Sequence, residues 1–375
     1  MTLGQSIKMM NFFKKTKKQE QVLLLDFGRG FVRGIIFESN GKNKVLDFQS
    51  EKIERFGIFD GKDFELDVVK KATNKLIENL GGKTNISHFP KILGFSPDIL
   101  RAEVLNISFK REEWKGKIAE EEKEEIYKFI LEESEKEFFK KADKNVEILK
   151  KKILEEKISG YTIPCILGFQ GEQMDFKILI IYCSKVYAEF IRIFKKDLHL
   201  EEAEIFHSIE ALNYLKESYK MFIDIGERNT LICFFKETLE FVADFQIGGH
   251  DFTKAIAKGF NLREDEAEAI KEDFSNGGLG PQTSERIKEM VLPVLNLWQE
   301  CLNRIIKDKT GPFEIVTETY FFGGGSLFPL LEKTKFFLPE NLPLENKTKI
   351  IFSVKHTPSL LLTFCNNLKS NEKNF

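Results

Sequence analysis

Met221-Phe222-Ile223-Asp224-Ile225-Gly226 is an apolar run that ends in a carboxylate and a glycine, and two further β-rich runs, Asn229 to Phe235 and Thr238 to Phe245, follow at once. Two strands joined by a tight turn are predicted, with Gly226 letting the turn backbone approach an anion without a Cβ in the way. Asp224 then stands where a metal-phosphate group would be held. Next comes Gly248-Gly249-His250-Asp251-Phe252-Thr253. Because Phe252, Ile256 and Phe260 recur every four residues, a helix is expected to lead away from this point.

Nearly the same pattern opens the chain. Val22-Leu23-Leu24-Leu25-Asp26-Phe27-Gly28-Arg29-Gly30 runs into Phe31 to Phe37, with an aspartate at the same place before the turn. Two strand-turn-strand units of one design imply an internal duplication, with a nucleotide held between two like halves. A third glycine cluster, Phe321-Phe322-Gly323-Gly324-Gly325-Ser326, precedes Leu327 to Glu332 and reads as a strand running into a helix N-terminus, which favours phosphate. Ordinary turn chemistry explains each cluster alone. It does not explain all three in this order.

In that order and spacing the chain resembles the actin-like ATPase superfamily, and within it the FtsA/PilM branch. Gly160-Tyr161 with Pro164 and Gly168, Gly248-Gly249 with Phe252-Thr253, Ala267-Glu268 with Lys271, and Gly323-Gly324-Gly325-Ser326-Leu327 look like segments of the FtsA-like cell-division proteins, and PilM-like proteins share most of them. The resemblance spans residues 22 to 360. It implies an α/β fold of the actin-like (ribonuclease H-like) type, duplicated into two lobes, with an inserted SHS2-type subdomain called 1C.

It also implies a site for ATP and Mg. Asp26 and Asp224 would act on the magnesium ion through water, which suits an ion that keeps several waters in phosphate sites. Gly28, Arg29, Gly30, Gly226, Asn229 and Thr230 would face the phosphates. Gly248 and Gly249 would lie beside them, and Glu268 and Lys271, one helical turn apart, would approach the ribose and adenine. Gly323, Gly324 and Gly325 would pack on the adenosine, with Ser326 capping the next helix.

Two departures bear on turnover. The second loop reads Asp224-Ile225-Gly226-Glu227-Arg228-Asn229-Thr230-Leu231, so Glu227 puts a carboxylate where the family commonly has a glycine, and Leu231 replaces an acidic residue. Arg29 could offset this by holding a phosphate through charge-assisted hydrogen bonds. ATP binding with slow or absent hydrolysis is therefore expected. No catalytic base is assigned; Glu204 and Glu210, just before the second loop, are the nearby carboxylates.

The 375 residues are more than one core usually needs, and two lobes are expected. Formal net charge is only -2, which argues against a nucleic-acid partner, and a hydrophobic content of 42% indicates a globular chain. The five cysteines, at 165, 183, 233, 301 and 365, form no CxxC pair, and the five histidines are scattered. Buried thiols in a reduced cytoplasm fit this better than metal ligands. No apolar stretch approaches the ~20 residues that span a bilayer.

The expected organisation is a basic tail over 1–21, the first lobe over 22–101, an inserted unit over 102–183, the return of the first lobe over 184–220, the second lobe with the adenosine motif over 221–365, and a polar tail over 366–375. The tail contains Phe12-Phe13-Lys14-Lys15 and reads as a solubilising extension, or as a weak peripheral contact with the inner face of the cell membrane. Within the inserted unit, residues 110 to 157 are dense in Glu and Lys and read as a solvated helix with i,i+4 pairs, followed by strands at Thr162 to Phe169 and Met174 to Cys183.

For function, the FtsA-like reading comes first and implies an ATP-binding cytoplasmic scaffold that self-associates into filaments and links the tubulin-like division protein FtsZ to the membrane. The alternative, a PilM-like reading, implies a pilus assembly platform that docks the cytoplasmic peptide of a membrane partner, PilN. FtsA-like chains usually end in a basic amphipathic helix, which Asn366 to Phe375 is too polar and short to form. An actin-fold metabolic kinase is a third class, but no acidic sugar-binding constellation accompanies it.

Overall fold

Alternation decides which way Asp224 points. On a strand successive side chains face opposite sides, so Met221, Ile223 and Ile225 share one face and Phe222 and Asp224 the other. In the computed structural model the first three join the core of the second lobe, whereas Phe222 joins the core of the first. Asp224 is thereby turned towards the partner lobe. The structure describes residues 20–39, 43–53, 66–80, 88–214, 220–310, 318–329, 335–336, 344–346 and 354–365. Residues 1–19 of the basic tail, the polar tail over 366–375, and the stretches around Asn40-Gly41, Gly81-Gly82 and Lys349, where the sequence suggests a turn, a helix end and a last strand, lie outside these residues.

The first lobe starts as an antiparallel meander of β1 (Glu20–Phe27), β2 (Phe31–Ser39) and β3 (Asn43–Lys52). Helix α1 (Leu66–Asn79) crosses to β4 (Lys91–Phe95), which runs parallel to β1. After the inserted unit, α3 (Lys185–Asp197) leads to β9 (Glu204–Phe206), parallel to β4, and α4 (Ser208–Tyr214) follows.

The second lobe repeats this plan with β10 (Lys220–Ile225), β11 (Thr230–Phe235) and β12 (Leu239–Phe245). Helices α5 (Gly249–Phe260), α6 (Glu264–Ser275) and α7 (Pro281–Lys309) then lead to β13 (Glu318–Phe322), parallel to β10, and to β14 (Lys335–Phe336) beside it. Apart from one further edge strand beside β3 in the first sheet, the two sheets read β3-β2-β1-β4-β9 and β12-β11-β10-β13-β14, the same order twice. β1 is apolar on both faces because both are covered, and it is buried from Val22 to Phe27.

The end of the chain departs from the expected boundaries. Strand β15 (Leu344–Asn346) pairs with β3, and α8 (Thr357–Leu362) lies under β1 and β4, so these parts of the stretch assigned to the second lobe belong to the first. Leu360, Leu361, Leu362 and Phe364 are buried in the first core, and Asn43 Nδ2 donates to the Thr363 carbonyl at 2.8 Å. A four-residue apolar spacing, Val186 and Phe190 with Ile193 and Phe194, would put all four on the buried face of α3, but its buried side is Ala188, Phe190, Ile191 and Phe194, while Val186 and Ile193 face solvent.

The inserted unit is a four-stranded antiparallel sheet in the order β5-β8-β6-β7, from β5 (Arg101–Lys110), β6 (Val146–Ile158), β7 (Tyr161–Ile163) and β8 (Gln173–Ser184), with α2 (Glu120–Lys141) packed on it. Its core holds Leu105, Ile107, Ile126, Ile130, Phe138, Phe176 and Ile178. The charged run is thus only half helix. Its second part, Val146–Ile158, is a long strand whose charges find partners: Lys150 with Glu210, Lys151 with Glu135, Glu156 with the Tyr127 hydroxyl. The strand expected over Thr162 to Phe169 is limited to its first residues.

Candidate nucleotide cleft between two hairpins

Each lobe contributes one turn. Gly28 N–H donates to the Phe31 carbonyl at 3.0 Å, and Gly226 N–H donates to the Asn229 carbonyl at 2.9 Å, so the same closure forms at equivalent points of the duplication. Asp26 and Asp224 stand just before these turns, both buried. Burial pushes Asp224 up to about 7, the negative charge of Asp26 adds to this, and the Arg33 guanidinium opposes it. The two carboxylates are therefore close enough to feel each other.

Asp26 is held from two sides. Ser359 of α8 donates its hydroxyl to Asp26 Oδ2, and Arg33 Nη1 lies 3.7 Å from the same oxygen. Arg33 is the cross-strand neighbour of Asp26 in the β1–β2 hairpin, whereas Ser359, which shares no local pattern with residue 26, gives no signal in the sequence. Asp224 meets the third glycine cluster instead. Gly323 has φ +87°, and a Cβ there would fall 2.1 Å from Asp224 Oδ1 and 2.6 Å from the Ile225 carbonyl oxygen. Only glycine fits that approach.

Gly325 packs as closely, its Cβ position 2.5 Å from Ile225 Cγ2, whereas Gly324 faces open space. In place of the expected helix, Gly324–Leu327 forms one 3-10 turn, and Ser326 closes it by donating Oγ to the Gly323 carbonyl at 2.7 Å. Phe328 continues into the second core by stacking on Phe252, ring centroids 4.7 Å apart.

α5 begins against the second turn. Gly249 N–H donates to the Gly226 carbonyl at 2.9 Å and His250 N–H to the Glu227 carbonyl at 2.7 Å, while Asp251 caps the Gly248 N–H at 3.0 Å. A Cβ on Gly248 would sit 2.6 Å from the Glu227 carbonyl oxygen, so this contact also requires glycine. Beside it, Lys271 Nζ donates to the Gly249 carbonyl at 3.0 Å, to Thr253 Oγ1 at 2.8 Å and to Glu268 Oε2 at 2.8 Å. Gly226, Gly248, Gly249, Glu268, Lys271, Asp224, Gly323 and Gly325 are thus one continuous wall.

Two expected residues do something else, and the amide nitrogen of a third is left without a partner. Arg29 pairs with Asp98, which is itself bonded to Ser96, so its charge is spent inside the first lobe. Thr230 is buried, and its hydroxyl donates to the Ile247 carbonyl at 2.8 Å and accepts from Trp298 Nε1 at 2.8 Å. Trp298 is accordingly a hydrogen-bonding residue as well as a core one. Asn229 is buried, and its Nδ2 has no partner among the described residues.

Neither carboxylate considered as a base is placed for that role. Glu210 is buried, bonded to Lys150 Nζ at 2.8 Å and to the His207 N–H at 3.0 Å, and Glu204 lies exposed on β9. No group of three or more His, Cys, Asp or Glu side chains that could hold a metal occurs among the described residues. No helix there is long and apolar enough to cross a membrane.

No family model matches the sequence, and no curated protein matches it. Solved structures do. One of a PilM-PilN type IV pilus biogenesis complex aligns with TM-score 0.65 at 15% identity, covering 93% of this chain and 99% of that one. MreB 5 of Spiroplasma citri bound to AMPPNP aligns at TM-score 0.49 and 11% identity, covering 95% and 99%. The ethanolamine utilization protein EutJ from Carboxydothermus hydrogenoformans gives TM-score 0.48 and 13% identity, covering 92% and 90%. With the duplicated sheet order and the paired hairpins, the chain has the actin-like ATPase fold.

Proposed function

We propose that the chain is a scaffold that binds an adenine nucleotide between its hairpins and docks a protein partner, with slow or absent phosphoryl transfer. The nucleotide wall supports the first half. Gly323 brings backbone close to Asp224, Gly248 and Gly325 pack against the second turn at Glu227 and Ile225, and the unpartnered Asn229 Nδ2 is a donor that a phosphate oxygen would satisfy. Asp26 and Asp224 would hold hydrated magnesium through water, which suits two carboxylates without a third ligand. When bound, that ion would supply charge neutralisation for the phosphates.

Slow turnover follows from what the wall lacks. Arg29 is committed to Asp98, and the carboxylates near the second loop are structural or remote. For the partner, the observation that carries most is the correspondence with the PilM-PilN structure along 93% of this chain and 99% of that one, at a TM-score of 0.65. We therefore place a pilus platform role first, with the cytoplasmic segment of a PilN-like membrane protein as partner.

A division role, with self-association and FtsZ as partner, is the second reading, and the Gly160-Tyr161 turn favours it. Gly160 has φ +84° at the β6–β7 hairpin and Tyr161 is 78% exposed, an aromatic offered to another surface. A pull-down from native cell extract, with and without nucleotide, tests both. Recovery of a single-span membrane protein supports the first reading, recovery of a tubulin-like protein the second. Recovery of neither, under conditions where the chain is folded, overturns the scaffold role.

A further inference from the structure

Glu227 lies on the second turn, and its backbone carbonyl is held in place. Its carbonyl accepts the His250 N–H at 2.7 Å, and Gly248 is packed against that same carbonyl. From this anchored origin the side chain crosses to the first turn. Oε2 lies 2.9 Å from where a Cβ on Gly30 would stand, so the carboxylate rests against the Gly30 backbone. Gly30 is itself held, because its carbonyl accepts the Ile53 N–H at 2.9 Å. One carboxylate therefore spans the gap between the two turns.

A phosphate gripped by both turns would occupy that gap. The groups that usually favour such a phosphate are already engaged: the Gly249 and His250 N–H groups at the start of α5 donate to the Gly226 and Glu227 carbonyls, and Arg29 pairs with Asp98. Asp26 and Asp224 stand buried just before the same two turns, with Arg33 beside Asp26. Further along the wall the cleft is less crowded, since Gly324 opens onto empty space.

We propose that Glu227 sets the number of phosphates the cleft accepts, so that it takes a nucleoside diphosphate in preference to a triphosphate, the carboxylate standing where the terminal phosphate would go. This rests on the nucleotide-binding reading above. Steric overlap and like charge act together, and a discrimination of about tenfold or more is expected when an anion must be placed beside a fixed carboxylate. The chain then behaves as a sensor of the diphosphate, and the hairpin gap is closed by its own side chain.

The test is calorimetric titration of full-length protein with ADP and with AMPPNP, each with magnesium, using wild type, Glu227→Ala and Glu227→Gln, with thermal melting to check folding. Wild type should bind ADP about tenfold or more tighter than AMPPNP. E227A should gain AMPPNP affinity and bring the two within about threefold, with ADP little changed, and E227Q should fall between, since it removes charge but keeps volume. Equal affinities in wild type, or an E227A protein that gains nothing or binds AMPPNP more weakly, would overturn the proposal while leaving nucleotide binding intact. Binding of neither nucleotide by any of the three would instead overturn the nucleotide reading itself, and this proposal with it.

Discussion

Trp298 Nε1 donates to Thr230 Oγ1 at 2.8 Å, and the same hydroxyl donates to the Ile247 carbonyl at 2.8 Å. This ties α7, the second hairpin and the approach to α5 together at one buried oxygen. Thr230→Val keeps the shape and removes the hydroxyl, leaving a buried indole N–H unsatisfied and a part-buried carbonyl without this donor. A loss of roughly 1–3 kcal/mol is expected. Nucleotide affinity should stay within about twofold, because the hydroxyl faces the core. Urea unfolding and titration together check this; intact stability with lost binding would return Thr230 to the cleft.

The two glycines Gly323 and Gly324 are adjacent yet should respond oppositely. A Cβ at Gly323 meets Asp224 Oδ1 at 2.1 Å, on a backbone with φ +87°, whereas nothing lies within 4 Å of one at Gly324. Gly323→Ala is expected to cost about 2 kcal/mol or more and to displace the Asp224 carboxylate, abolishing nucleotide binding. Gly324→Ala should change stability by less than about 0.5 kcal/mol. Equal effects in melting experiments would contradict this reading of the third cluster.

The two halves of the duplication were legible for a physical reason. In β1 and β10 the apolar run, the aspartate and the turn glycine lie within eight residues or fewer, so short-range pattern and structure coincide. What escaped is non-local or disguised. Ser359 reaches Asp26 across a separation of 333 residues, and β15 pairs with β3 from the far end of the chain. β6 carries Lys150-Lys151-Lys152 and Glu155-Glu156-Lys157, a composition that suggests an exposed helix, and only its pairing with β8 and its ion pairs reveal a strand. Arg29 looked like a phosphate ligand because Asp98 lies 69 residues away.

Lys177 joins the inserted unit to the second lobe. Its Nζ is bonded to Glu240 Oε1 at 2.7 Å and Thr238 Oγ1 at 3.0 Å, and lies 3.4 Å from Glu155 Oε2, with the lysine side chain only 6% exposed. Lys177→Met leaves the buried Glu155 with reduced compensation, and a destabilisation of about 3 kcal/mol is expected. Combining it with Glu155→Gln should recover part of that loss, since the uncompensated charge is then gone. Hydrogen exchange should quicken at β5 and β12, which face each other across this junction. A single variant no less stable than wild type would mean that solvent replaces the lysine.

His207 gives the pH dependence. It is fully buried between β9 and α4, its Nδ1 accepts the Ile209 N–H at 3.2 Å, and burial pushes its pKa down to about 4 from 6.5. The accepting Nδ1 identifies the neutral ring, with the proton on Nε2. In the unfolded chain the ring titrates near 6.5, so between that value and about 4 the unfolded state binds the extra proton and the folded state does not. Stability is therefore complete above about 6.5 and falls as the pH drops towards 4, by at most about 3 kcal/mol from this one group. His356, also pushed down to about 4 by burial, acts in the same direction, while the buried Glu210 and Asp224, whose pKa values are raised by burial, oppose it. Relative to wild type, His207→Gln, whose amide carries no titrating proton, should lose less unfolding free energy between pH 7 and pH 5. An unchanged pH slope in that variant would show that His207 is charged in the folded protein or reached by water.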